Sequence, residues 1–296
     1  MNLEIYRQIL TGESHTAVLS PRALWKLTGP DAARYLNGQV TNDVMKLAEG
    51  HAFYAAVCTA KGRMEGDVSI ALHGSEFYLD ADPALRESLG ARLDKFLIAD
   101  DAAFEDISED WSLSHVFGGT PPPVPQGGFV LAHARFGLPG HDVWVAGTSP
   151  FVSGQIAEPD VIETLRLEQG LPRWDAELTA NTLPPEAGPH MLSAISYTKG
   201  CYVGQETIAR LKSVGHVNRS LAFLVSDSAT FPPVGAKLKQ ADRELGTVTS
   251  SGYSPRLEKG VALGYLPRQA VSEGTQVQAD ALQLTVTPSL SGKTMS

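Results

Sequence analysis

Lys199-Gly-Cys-Tyr-Val-Gly-Gln-Glu206, continued by Thr-Ile-Ala-Arg210, is the segment from which the rest of the chain can be read. It sets a cysteine between two glycines, two residues after a lysine and just before a helix-like run. Cys201 is one of only two cysteines among 296 residues. A cysteine in such a turn serves either its sulfur chemistry or a close approach of the backbone. Lys199 and the start of the following helix would both stabilise a thiolate. The alternative is a small residue packed into a tight turn, as free cysteine often is. Gly200 and Gly204 supply special backbone geometry or close packing.

Upstream of this segment, strands and helices alternate. Pro30-Asp31 opens a short helix over Ala32–Leu36, ended by Gly38. Phe53–Cys58 reads as a buried strand and places Cys58 in the core. Lys61-Gly62 turns the chain into an antiparallel partner, Met64–Leu72, and Glu76–Asp80 is a further strand. Leu85, Leu89, Leu93, Phe96 and Leu97 fall at helical spacing and predict a helix over Pro83–Phe96. Phe104–Ile107, Trp111–Phe117, Phe129–Arg135 and Asp142–Ala146 return as strands. Between them lies Gly118–Gly128, a loop with four prolines and four glycines. Pro159–Gln169 is a helix capped by Gly170. The order predicts an α+β fold with an antiparallel sheet.

Downstream, from about Val217, short strands alternate with Gly, Pro and Asp turns: Ser220–Val225, Gly246–Ser250, Val261–Tyr265, Thr275–Gln278 and Leu282–Val286. This is the pattern of a small all-β unit, read as a barrel. The expected division is 1–215 for the α+β region and 216–296 for the barrel, with Ser289–Ser296 a frayed polar end.

Composition narrows the functions. There are 24 basic and 33 acidic residues, a net charge of −9, and 43% of residues are hydrophobic. An acidic chain is a poor partner for nucleic acid, where phosphates require clustered Lys and Arg. Two cysteines cannot supply the four thiolates of an ordinary iron–sulfur cluster, and their scarcity fits a reducing compartment. No run of about 18 apolar residues is present to span a membrane, and the first residues read as neither signal nor transit peptide. A cytoplasmic monomer is expected. Phosphate-loop, dinucleotide-binding, HExxH, CxxC and G-x-S-x-G motifs are all missing from the sequence, and no metal site is expected.

Four segments together carry a resemblance. The Lys199–Glu206 motif with Arg210 resembles the K-G-C-[FY]-x-G-Q-E-x3-R signature of the YgfZ family. Tyr35-Leu-Asn-Gly-Gln-Val-Thr-Asn-Asp43 is similar to its first motif, Thr59-Ala-Lys-Gly-Arg-Met64 to its hairpin, and Leu165-Arg-Leu-Glu-Gln-Gly-Leu-Pro172 to the run before the signature. Their order and spacing cover about residues 20 to 266. The resemblance implies the fold of the aminomethyltransferase (T-protein) of glycine cleavage: two interleaved antiparallel α+β subdomains around a central folate-sized hole, and a C-terminal β-barrel. It also implies a tetrahydrofolate-type cofactor, and partners among iron–sulfur enzymes or cluster-assembly proteins.

Within that frame, Cys201 is the candidate reactive residue. Glu168 matches the position expected to receive the neighbouring N–H donors of a pterin, a charge-assisted contact of the stronger kind. The other reading is a solvated glutamate near a helix C-terminus. Asp67 aligns with the acid that aminomethyltransferases place near the reacting folate nitrogen, while its companion acid is replaced by Gly66. Residues 199–219 carry four basic side chains against one acidic, so Lys199 and Arg210 are candidates for the anionic glutamyl tail. Two other readings remain open. One is a true aminomethyltransferase, moving a one-carbon unit to tetrahydrofolate. The other is a scaffold without ligand, which a ligand-free cavity with Glu168 salt-bridged away would favour.

Overall fold

The computed structural model describes residues 1–213 and 215–291; the last five positions of the expected polar end lie outside the described residues. The elements follow in the order α1 (Leu3–Leu10), β1 (His15–Val18), β2 (Ala23–Thr28), α2 (Ala32–Gln39), β3 (His51–Cys58), β4 (Met64–His73), β5 (Glu76–Ala81), α3 (Arg86–Lys95), β6 (Ala103–Asp106), β7 (Trp111–Phe117), β8 (Gly128–Ala132), β9 (Gly140–Ala146), β10 (Gln155–Ile156), α4 (Pro159–Glu168), α5 (Gly188–Ser193) and α6 (Gln205–Ser213). Six further strands close the barrel: β11 (Arg219–Ser226), β12 (Lys237–Gln240), β13 (Arg243–Ser254), β14 (Lys259–Pro267), β15 (Gln276–Ala279) and β16 (Leu282–Thr287). The expected barrel is present, with β12 added to the strands legible in the sequence. Among the described residues no helix is long and apolar enough to cross a membrane.

The first ten strands form one sheet in the order β10-β1-β7-β9-β8-β3-β4-β5-β2-β6. It has two halves, and the chain interleaves them. β1 lies with β7–β10, while β2–β6 build the other half. The halves meet at a single parallel pair, His51 with Ala132. A second parallel pairing, β1 with β10, sits at the sheet edge. The sheet is therefore antiparallel except at its seam and one edge.

Strand alternation separates two faces of the β2–β6 half. Trp25, Leu27, Val57, Val68, Ile70 and Leu79 pack on Leu36 of α2 and Leu89 of α3. The other face carries Tyr54, Asp67, Ser69 and Asp80, aligned by the pairs Tyr54–Ser69, Ala56–Asp67 and Ser69–Asp80. Farther along that face, Leu24, Ala71 and Tyr78 are apolar. They close against Leu113, Phe129, Leu131 and Trp144 of the other half. One end of the inner face is thus sealed by packing, and the other is lined by polar groups.

Local differences from the sequence reading have simple causes. Helix α2 runs through Gly38 to Gln39 because Val40 closes it, its N–H bonded to the Leu36 carbonyl. The first turn of the Pro83 helix is a 3-10 turn whose start is capped by the Asp82 carboxylate. Helix α1 and strands β1 and β2 have no counterpart in the sequence reading.

Candidate functional site

Asp67 stands at the polar end of the inner face. Its Oδ2 accepts a hydrogen bond from the Tyr54 hydroxyl at 2.6 Å. Its Oδ1 is out of contact with solvent and receives no hydrogen bond among the described residues. Burial pushes the carboxyl up to about 6, against the Tyr54 hydrogen bond and the charge of Arg22. Burial likewise drives the Tyr54 hydroxyl well above its ordinary range, reinforced by Asp67, so it stays a donor. The His190 ring of α5 lies 4.7 Å from the Tyr54 ring, and burial holds the imidazole down to about 4, hence neutral. Burial dominates all three groups, yet each keeps some accessible surface.

One wall of this region is a charge network across the two half-sheets. The Arg135 guanidinium clamps Asp80 of β5 (3.0 and 2.6 Å) and Asp142 of β9 (3.2 and 2.6 Å). Arg22 adds a bond of 2.7 Å to Asp80, and the Nδ1 atoms of His115 and His133 lie 2.8 and 2.6 Å from Asp142. Burial opposes both carboxylate charges. Arg135 and Arg22 outweigh it at Asp80, and Arg135 with His133 holds Asp142 well below the usual range. Sequence reasoning missed Tyr54, His190 and this network. A signal existed: Asp80 and Asp142 are carboxylates set among largely apolar strand residues, and such charges must be paired.

The sequence-derived residues do not all gather here. Glu168 is fully buried at the C-terminal end of α4. Tyr6 of α1 donates to both its oxygens, at 2.8 and 2.7 Å, and Ser254 of β13 donates to Oε1. The carboxylate expected to receive a pterin is buried, holds hydrogen bonds from Tyr6 and Ser254, and ties α1 and α4 to the barrel. Lys199 is likewise committed. Its ammonium donates to the main-chain oxygens of Asn37 (2.6 Å), Val40 (2.7 Å) and Asn42 (2.6 Å), which uses all three of its N–H groups. Burial pushes it down to about 8. It therefore braces the turn after α2 and has no donor left for an anionic tail.

The two motifs containing these residues form one unit. Besides Lys199, Val203 N–H bonds the Gly38 carbonyl and Ser196 N–H the Thr41 carbonyl, while the Thr41 hydroxyl donates to the Ala194 carbonyl. Gly204 (φ +88°) sits where a Cβ would lie 2.7 Å from the Thr59 carbonyl, so the hairpin and the cysteine loop press together. Cys201 is exposed at this junction, and Arg210 is exposed on α6. Cys58 is buried in the core, its thiol raised by burial to about 12. Gly66, in place of the companion acid, faces α3: a Cβ there would meet Leu89 at 2.7 Å. The position belongs to the core face, away from Asp67.

The family model described as GCVT N-terminal domain matches residues 19–122, and that described as glycine cleavage T-protein C-terminal barrel domain matches residues 219–291. The tRNA-modifying protein YgfZ of Cronobacter sakazakii is 30% identical over 257 residues, spanning 77% of this chain and 78% of its own. That of Pectobacterium atrosepticum is 32% identical over 260 residues, spanning 77% of each. The crystal structure of the glycine cleavage system aminomethyltransferase T from Bartonella henselae superposes with a TM-score of 0.83 over 98% of this chain and 91% of that one, at 18% identity, which establishes a shared fold. The chain belongs to the YgfZ family, on the fold of the glycine cleavage aminomethyltransferase.

Proposed function

We propose that this chain binds tetrahydrofolate or a one-carbon derivative beside Asp67 and supports the assembly or repair of iron–sulfur enzymes in the cytoplasm, with Cys201 as its reactive group. The observation that carries the ligand reading is Asp67, an interior carboxylate with one oxygen held by Tyr54 and the other without a partner. An orphaned interior acceptor fits a ligand that brings N–H donors, which a reduced pterin has. When bound, tetrahydrofolate supplies nitrogens that carry one-carbon units. Asp67 would receive an N–H, Tyr54 would hold Asp67, and the exposed Arg210 is the remaining candidate for the anionic tail. The relatives are called tRNA-modifying proteins. In this reading the chain reaches tRNA through an iron–sulfur enzyme that modifies it, since a chain of net charge −9 opposes a polyanion.

Asp67 also favours a second reading, aminomethyl transfer to tetrahydrofolate. The buried carboxylate of Glu168, held by Tyr6 and Ser254, favours a third, a scaffold that binds only a protein. Calorimetry with tetrahydrofolate, then an assay with aminomethyl-lipoyl protein, separates all three. Binding that is lost in Asp67→Asn, with no transfer, is the expected result; absence of binding by the unaltered protein leaves the scaffold. In a strain lacking this protein, Cys201→Ser is expected to bind the ligand but fail to restore iron–sulfur enzyme activity. Full restoration by the serine variant would remove Cys201 from the proposal.

A further inference from the structure

We infer that Tyr54, which no sequence motif marks, is a positioning residue for Asp67: it fixes Oδ2 and thereby leaves Oδ1 as the oxygen on which the carboxyl gains or loses its proton. The inference rests on the tetrahydrofolate reading only for what Oδ1 meets.

The register explains how the pair forms. Ala56 lies directly opposite Asp67, and Tyr54 is two residues before it on the same face. Diagonal neighbours on paired strands stand about 7–8 Å apart, within reach of an aromatic side chain. The small Ala56 leaves the space between them open, and the Tyr54 hydroxyl closes to 2.6 Å from Oδ2. Tyr54 is itself held from two further sides. The Asn42 amide donates to its carbonyl at 2.9 Å, and the His190 ring packs on its ring.

A hydroxyl that donates to one carboxylate oxygen makes the two oxygens unequal. Oδ2 is engaged by a donor whose own proton is secured by burial. A proton taken up by Asp67 therefore resides on Oδ1, where it can be offered to a ligand. The ionised form presents the same atom as an acceptor. The charged groups acting on Asp67 besides Tyr54 are Arg22, which favours its charge, and Asp80 and Asp82, which oppose it. His190 is kept neutral chiefly by burial, with a smaller contribution from His133, and contributes packing.

The test is a pH titration of the Asp67 carboxyl carbon by NMR in the full-length protein, free of ligand, assigned with Asp67→Asn. Tyr54→Phe keeps the ring against His190 and deletes only the hydroxyl. Its Asp67 midpoint is expected about one pH unit above that of the unaltered protein, the scale of one lost hydrogen bond to a carboxylate. A midpoint that moves by less than about 0.3 unit overturns the inference. Tetrahydrofolate affinity between pH 5.5 and 8.5 is the second readout. The acid limb of its profile is expected to move by the same amount, with affinity at the alkaline end preserved within about threefold. A uniform loss at every pH assigns Tyr54 to ligand contact and overturns the positioning role. If neither protein binds tetrahydrofolate, the ligand reading fails while the NMR midpoint still decides the inference.

Discussion

Asp67→Asn is expected to make this protein more stable at neutral pH. Burial raises the Asp67 carboxyl from its ordinary 3.8 to about 6. At 1.36 kcal/mol per pH unit, that displacement corresponds to about 3 kcal/mol against the ionised form. The side chain keeps some solvent contact, which reduces the expected gain to about 1–2 kcal/mol. The sign follows from proton linkage. Between pH 4 and 6 the folded protein keeps a proton that the unfolded chain has released, so stability falls as pH rises through this window. Above it the full penalty is present; below it none is. Asparagine cannot ionise and can still accept from Tyr54, so the variant lacks the penalty. Urea unfolding followed by tryptophan fluorescence at pH 7.5 and pH 4 is the assay, with the slope checked for constancy. A variant less stable than the unaltered protein at pH 7.5 would refute the reasoning, because the carboxylate would then be stabilised by its neighbours more than burial opposes it. A stabilised variant without ligand binding is the trade expected of a functional group held in an unfavourable setting.

Three other perturbations test the frame around the site. Arg135→Met leaves Asp80 with Arg22 and Asp142 with two imidazoles; a loss of about 3 kcal/mol, the low end for breaking a buried pair, is expected in urea unfolding, and a loss below about 1 kcal/mol counts against the clamp. Gly204→Ala forces a Cβ to 2.7 Å from the Thr59 carbonyl at φ +88°, and a drop of about 2 kcal/mol or more is expected by thermal denaturation; unchanged stability contradicts the close approach. Lys199→Met strips three carbonyls of their shared donor. A cost of about 1–3 kcal/mol is expected, with faster hydrogen exchange at the Ser196 and Val203 amides. Exchange at the normal rate means that Lys199 does not hold the two loops together.

Much of the α+β region was legible because its signals are local. The alternation over Met64–His73 and the heptad-like leucines of α3 each encode a face, and the Gly and Pro turns mark where elements end. Gly170 shows the same economy: it adopts φ +67° just past α4, where only a residue without Cβ is at ease. The site was legible only in part. Cys201 stood out because its neighbours in the chain made it unusual, and Asp67 only because the resemblance aligned it with an acid of the aminomethyltransferases. Tyr54 did not, since nothing local distinguishes it from any aromatic strand residue.

The sequence by itself determined the element types, the barrel at the C-terminal end, the family, and the two short motifs around Asp43 and Cys201. It could not determine which charges meet. Glu168 and Lys199 carry groups suited to a ligand, and only the tertiary structure decided that Tyr6 and Ser254 hold the one and three carbonyls the other. It equally decided that Asp67 keeps one oxygen in hand. The reason is physical: hydrogen-bond capacity is finite and is shared among residues up to 162 positions apart in the chain, so whether a polar side chain is spent or available depends on packing across elements and not on its neighbours in sequence.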